Sequence, residues 1–381
     1  MDFIFIMLSL AGGFILGWFL NDTRGKRVES RKMELSAYVR GLDYLAQGKP
    51  DLAIAELKKA TELSSDNIDA YIKLGNIYRE RGSLETAVRI HESVVIRPNI
   101  SPDKINEAQI NLGLDYLKAK NHSRAIAAFK SVAARDRTTK EAYRYLRQLY
   151  EEVANWEEAY KVEEQILKLE KSDDRRVLSH LQTEMGKTYL GNDNRQALRH
   201  FRNALRLDDG CIDAHISMGE LFYQNSELEK SSEQWERVID INPKFLFMIN
   251  DRLERVYYQM GRYDNLISIY RQVIRKNPDH VDAHIFLGDI FYKKGMIEET
   301  IEEYKTALEH NPLSKRARQH IGKLYCQQNM VPETLAEYQD VLKLFFEDKE
   351  SYRCGKCKTT TSEFLWRCPS CKTWDSLEQV E

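Results

Sequence analysis

Two apolar patterns run along the chain. From Phe3 to Leu20 there are 18 consecutive residues without a charge, rich in Phe, Ile and Leu. As a helix they span ~27 Å, enough for one bilayer crossing. Beyond that run the apolar positions keep helical spacing inside a longer period. Laid on itself at 34 residues, the chain brings Gly41, Ala53 and Ala60 over Gly75, Ala87 and Val94. Each period reads as a helix pair, with a large side chain, Leu-Gly and Tyr on the first helix and Ala-x3-aromatic-x2-Ala on the second. Tyr71, Leu74, Gly75 and Tyr78 lead to Ala87, and Leu112, Gly113 and Tyr116 lead to Ala125 and Phe129. Later periods drift but keep the register: Met185, Gly186 and Tyr189 before Ala197, Phe201 and Ala204; Met218, Gly219 and Phe222 before Trp235. Leu287, Gly288 and Phe291 precede Tyr304 and Ala307, and Ile321, Gly322 and Tyr325 precede Tyr338. In two periods Arg147 and Glu254 replace the glycine, while Tyr150 with Ala159 and Tyr257 with Tyr270 hold the phase. Pro243, Pro278 and Pro312, 35 and 34 residues apart, fall where one second helix ends and the next first helix begins.

A period of 34 residues with this pattern is that of the tetratricopeptide repeat, and about nine units fit between residues 34 and 346. The expected fold is therefore all-α, a superhelical solenoid in which small Gly and Ala positions let helices lie close and each unit is stable only when stacked. The recurring residues are core. Function in such a stack comes from the concave surface lined by first helices, and the positions expected to be exposed there for partner contact are Asn76, Arg79, Lys118, Asp289, Tyr292 and Lys293. Their mixed charge suits a polypeptide groove rather than a phosphate site.

The flanks of the apolar run set its meaning. Asp2 precedes it, whereas Arg24, Lys26, Arg27, Arg31 and Lys32 follow it. A cleaved signal peptide carries its positive charges first, so residues 1–20 read as a retained anchor and residues 21–33 as a basic juxtamembrane linker. The positive-inside rule then places the N-terminus outside the membrane and the bulk of the chain in the cytoplasm. Ser9, Gly13 and Gly17 recur every four residues on one face, where another transmembrane helix, of a second copy or of a different protein, can approach closely. Over the whole chain 57 basic residues balance 59 acidic ones, a net charge of -2, so no overall field favours nucleic acid.

Four of the six cysteines crowd into the C-terminus as Cys354-Gly-Lys-Cys357 and Cys368-Pro-Ser-Cys371, ten residues apart. Two such turns present four thiolates tetrahedrally to one ion, iron or zinc, and residues 347–381 read as a small rubredoxin-like or zinc-ribbon domain with Trp366 and Trp374 as its core. A dithiol redox centre competes, but no thioredoxin-like strand-helix unit surrounds either pair. Four sulfur ligands leave no open position for activating water. The short link after the last helix predicts that this domain docks on the final repeat. Cys211 and Cys326 read as small buried thiols inside helical segments. No Gly-rich phosphate loop, His-Glu-x-x-His or Gly-x-Ser-x-Gly elbow occurs, and His280 and His284, though four apart, fall on a turn and a packing position. The chain does not read as an enzyme.

The anchor, the repeats, the segments Leu74-Gly-Asn-Ile-Tyr-Arg-Glu-Arg-Gly and Ala87-Val-Arg-Ile-His91, and above all Tyr352-Arg-Cys-Gly-Lys-Cys with Trp366-Arg-Cys-Pro-Ser-Cys-Lys-Thr-Trp374 resemble the lipopolysaccharide assembly protein B family of Gram-negative bacteria. The resemblance implies a single-pass inner-membrane protein with a rubredoxin-type metal on the four matching cysteines. It also implies restraint of lipopolysaccharide synthesis: the family promotes degradation of the lipid A deacetylase by the membrane protease FtsH and gathers other lipopolysaccharide enzymes. A general peptide-binding co-chaperone and a rubredoxin-like electron carrier docked by its repeats are the alternative readings.

Overall fold

The computed structural model of the chain describes residues 29–345 and 352–380. The expected anchor, with Ser9, Gly13 and Gly17, lies outside the described residues, and among the described residues no helix is long and apolar enough to cross a membrane. The chain divides after Lys171 into two compact units.

The first unit holds four helix pairs: α1 (29–46) with α2 (Pro50–Leu63), α3 (Ile68–Glu80) with α4 (Leu84–Val95), α5 (Pro102–Lys118) with α6 (His122–Arg135), and α7 (Lys140–Glu152) with α8 (Trp156–Glu170). The second holds α9 (Arg176–Tyr189) with α10 (Asn194–Leu207), α11 (Ile212–Gln224) with α12 (Leu228–Ile241), α13 (Leu246–Gln259) with α14 (Asp264–Lys276), α15 (Val281–Lys293) with α16 (Ile297–His310), and α17 (Lys315–Gln327) with α18 (Val331–Phe345). Pro243, Pro278 and Pro312 each follow a second helix by two residues, because proline lacks the N–H that would continue the ladder. Caps are local: the side chains of Asn67, Asn121, Asn155 and Asp193 accept from backbone N–H groups of the first turns they precede.

Two devices recur in the pairs. The first is the turn joining the helices, where one residue is left-handed in every pair: Gly48, Gly82, Lys120, Ala154, Gly191, Ser226, Gly261, Gly295 and Asn329 all have φ between 54° and 82°. Only five of these nine are glycine, so four units carry the steric cost of a Cβ in that conformation. The second is the close approach of the helices. A Cβ at Gly75 would stand 2.4 Å from His91, at Gly113 2.6 Å from Phe129, at Gly186 2.5 Å from Phe201, at Gly219 2.4 Å from Trp235 and at Gly288 2.7 Å from Tyr304. Each glycine is therefore a socket for the ring on the following helix. In α7 the socket holds Arg147, and the ring position on α8 is Glu163; the two close the gap with an ion pair of 2.9 Å while Glu163 keeps only 5% of its side-chain exposure. An apolar contact has been exchanged for a buried charged one at the same place in the repeat.

The C-terminal domain departs from the all-α expectation. Strands β1 (Tyr352–Cys354), β2 (Thr360–Thr361) and β3 (Leu377–Gln379) form an antiparallel sheet in the order β2-β1-β3, with Tyr352 opposite both Thr361 and Gln379. Tyr352, Cys354, Cys368 and Leu377 are its buried core, with Phe364 against them.

Candidate metal centre and partner surface

The two Cys-x-x-Cys turns are built alike. The N–H of Cys354 donates to Thr359 O and that of Cys368 to Thr373 O, while Lys358 and Lys372 return N–H groups to the carbonyls of Cys354 and Cys368. Lys358 and Lys372 are both left-handed, at φ 63° and 58°, which closes each turn tightly enough to aim both sulfurs inward. Cys354 and Cys371 sulfurs lie 3.6 Å apart, as do those of Cys357 and Cys368, and all four fall within 4.8 Å of one another. A tetrahedron with metal–sulfur bonds of ~2.3 Å has edges of ~3.8 Å, so the four sulfurs fit a single tetrahedral ion. Hydroxyls surround them: Thr359 Oγ1 is 3.2 Å from Cys357 Sγ, Thr373 Oγ1 3.4 Å from Cys371 Sγ and Ser376 Oγ 3.3 Å from Cys354 Sγ. The Thr359 hydroxyl and N–H hold the Cys357 thiol down to about 5, and the Ser376 hydroxyl lowers Cys354, whereas burial pushes Cys368 up to about 11. Two thiolates are thus prepared by their surroundings, and an ion supplies the rest of the drive to deprotonate.

The metal domain is seated within the second unit, and among the described residues its ring contacts fall on helices before the last repeat. Trp374 stacks on His180 of α9 at 4.7 Å between ring centroids, and Trp366 lies 6.0 Å from the same ring. Trp366 also stacks on Phe245 at 5.5 Å, and Phe364 meets Phe245 and Phe247 edge-on. The expectation of docking on the final helix pair is corrected: the aromatic edge of the domain finds rings at the start of α9 and in the 3₁₀ turn Pro243–Phe245 before α13. A polar bond locks the seat, since His180 Nε2 stands 2.7 Å from Asp375 Oδ2. Burial opposes charge on His180, but Asp375 and the nearby Cys211 sulfur outweigh it and lift the imidazole to about 10. No sequence pattern marks this bond, because the two residues are 195 positions apart and neither belongs to a motif.

The lone cysteines differ from one another. Cys211 is buried, preceding α11 with its sulfur 4.0 Å from His180 Nδ1. Cys326 is exposed, contrary to the expected buried thiol, because it lies on the outer side of α17 away from Ile321 and Tyr325. His280 caps α15 and His284 bonds Glu303 and Pro278 O, so both are structural.

The residues expected to be exposed for partners are less free than the pattern implied. In the first unit Asn76 is half-buried, and Arg79 is tied to Asp115 at 3.0 Å and to Asn111. Lys118 is exposed but donates to Arg79 O at 2.9 Å. In the second unit Asp289 accepts from Tyr304 at 2.7 Å and bonds His320 at 2.6 Å, while the Tyr292 hydroxyl donates to Gln327. First-helix polar positions are spent largely on ties to the next helix pair. Lys293 is exposed, pairs with Glu254 and lines a groove of about 1000 Å³ with Arg255, Tyr258 and Tyr263.

Comparison with known proteins matches this geometry. Residues 352–379 fit the rubredoxin metal binding domain, residues 41–82 the TPR repeat and residues 255–312 the tetratricopeptide repeat. Lipopolysaccharide assembly protein B of Escherichia coli strain K12 is 24% identical over 386 residues, covering 100% of this chain and 98% of that protein. The similarity runs along nearly the whole of both sequences. The Haemophilus influenzae lipopolysaccharide assembly protein B aligns at 21% identity, again over 100% of this chain and 98% of the relative. A crystal structure of MamA protein covers 47% of this chain and 93% of its own, at 21% identity and a TM-score of 0.36. The likeness to lipopolysaccharide assembly protein B therefore rests on matched repeats and a matched metal domain in one chain.

Proposed function

We propose that the chain is an inner-membrane adaptor that restrains lipopolysaccharide synthesis by presenting the lipid A deacetylase to the membrane protease FtsH and by gathering other lipopolysaccharide enzymes. The observation that carries this reading is the pairing, in one chain, of helix pairs that bear a groove of about 1000 Å³ in the second unit with a closed four-sulfur centre, which holds structure rather than reacts. The name of the relatives supplies the pathway. The apolar run from Phe3 to Leu20 supplies the tether, with a periplasmic N-terminus and a cytoplasmic bulk. The groove beside Tyr258, Tyr263 and Lys293 is the place for a peptide segment of the client. An iron or zinc ion on Cys354, Cys357, Cys368 and Cys371 fixes the domain that braces this unit. Deleting the chain is expected to lengthen the half-life of the deacetylase without changing its message, as followed by pulse-chase labelling. An unchanged half-life would reject the adaptor role, and a broad set of unrelated clients in a crosslinked pull-down would favour a general co-chaperone instead.

A further inference from the structure

The outer faces of α10 and α12 carry opposite charges at matching places in successive repeats. On α10, Arg195, Arg199, Arg202 and Arg206 follow one another at i, i+4, i+7 and i+11, all exposed, along ~16 Å of one helix face. Thirty-four residues later the same positions on α12 are Glu229, Glu233, Glu236 and Asp240. In a chain with a net charge of -2, four arginines in a row are a local feature and not a drift of composition.

The arginine row is also unspent. Among the described residues none of its members has an ion pair, and its guanidinium groups make one hydrogen bond, from Arg206 to its neighbour Asn203. Together with Leu198 and Asn203 they line a groove of about 290 Å³. The acidic row is only weakly matched: Glu229 meets Arg262 at 3.4 Å, and Asp240 meets Arg237 at 3.8 Å and Lys276 at 4.0 Å, exposed contacts of the kind that contribute little. Half-buried Glu236 accepts from the Tyr257 hydroxyl, and burial raises it above its usual range against that bond, with the charges of Asp240 and Glu233 adding to the rise.

Both helices pack on α11, and equivalent helices of successive repeats run in the same direction. The arginine and acidic rows therefore lie side by side and parallel. A two-fold rotation about a line between such rows, parallel to them and in the contact plane, sets Arg195 over Glu229, Arg199 over Glu233 and the remaining pairs likewise. The patch is its own complement, which is the requirement for an isologous contact.

We propose that two copies of the chain associate through this patch, each copy's α10 arginine row set against the other's α12 acidic row. Arginine suits the role because its planar fork engages carboxylates bidentately. An anionic bilayer is the poorer occupant, since the apolar side of α10, with Ala197, Phe201 and Ala204, is buried within the protein and leaves little to insert.

The test uses the full chain in detergent, with two differently tagged copies and a photoreactive benzophenone amino acid at Asn203. The expected adduct joins that position to the 228–241 segment of the other copy, and its yield falls as salt rises from about 0.05 M to about 0.5 M. R195E/R199E alone and E229R/E233R alone should each lose the adduct by about ten-fold or more. An equimolar mixture of the two variants should restore it, because every opposed pair is again unlike. That restoration also shows that both variants fold. Absence of the α12 adduct in the unaltered chain, a yield indifferent to the reversals, or failure of the mixture to recover it would overturn the proposal. So would crosslinking of Asn203 mainly to lipid or to a different acidic protein.

Discussion

At the scale of single residues, the positions where this chain breaks its own repeat say most about its energetics. Arg147 and Glu163 replace the glycine-ring socket seen in five other pairs, with Glu151 of α7 3.6 Å from the same guanidinium. Removing one partner of a buried pair leaves a charge without compensation, which costs about 3–5 kcal/mol. Arg147→Ala is therefore expected to lower the stability of the first unit by that order, read by chemical denaturation. Burial already raises the pKa of Glu163 despite Arg147, so in the variant the acid takes up a proton more readily. The stability deficit should shrink as pH falls. Ala154 offers the opposite sign. Its φ of 54° is a conformation that a Cβ disfavours by about 1–2 kcal/mol, and glycine removes that cost while losing some of the gain to chain entropy. Ala154→Gly should stabilise by up to ~1 kcal/mol in the same assay. The sequence pattern exposes Arg147 as an exception, since a charge stands where glycine recurs. It does not expose Ala154, because the left-handed turn is enforced by the packing of the helices it joins and Ala, Lys, Ser and Asn all submit to it.

At the scale of elements, helix pairs were legible because their spacing rests on small residues that leave a mark in sequence. The Gly219 socket shows why the mark is strict. Trp235 is fully buried and donates through Nε1 to Ile216 O at 3.3 Å, so its ring cannot yield to a methyl placed 2.4 Å away. Gly219→Ala is expected to cost about 1–3 kcal/mol by overpacking, a fall in the melting temperature of the second unit that a turn substitution on the surface would not produce. What the pattern misjudged is the use of first-helix polar residues. Arg79 and Asp289 look free on a helical wheel, yet each reaches a residue 31–36 positions on, in the next pair. Period-based reading assigns a side chain to a face and says nothing of how far a long one reaches. The cysteine spacing, by contrast, carries the four-sulfur cluster, because the placement of the sulfurs is set within each turn.

At the scale of the whole second unit, the metal domain and the repeats are joined by a contact that can be loosened in two separable ways. His180 has a folded pKa of about 10 against an ordinary 6.5, so its ionic bond to Asp375 contributes fully below the lower value and is lost as pH rises through the higher one. Raising the pH past that range should release the Trp374–His180 stack, seen as a change in tryptophan emission, and His180→Ala should flatten the response while the bound metal stays at one ion per chain. Metal removal acts at the other end. A sheet of three short strands has too little core to persist alone, and without an ion the buried Cys368 and the lowered Cys357 are left as an ill-matched pair of sulfurs. A chelator should therefore unfold residues 352–380 and uncover Phe245 and Phe247, which Phe364 and Trp366 otherwise cover. Helical circular dichroism should change little, because the helix pairs carry their own cores, whereas the second unit should melt earlier and the first unit, ending at Lys171, should be unmoved. If both units shifted equally, the metal would be acting on more than its seat at α9 and α13; if neither shifted, the seat would be no brace.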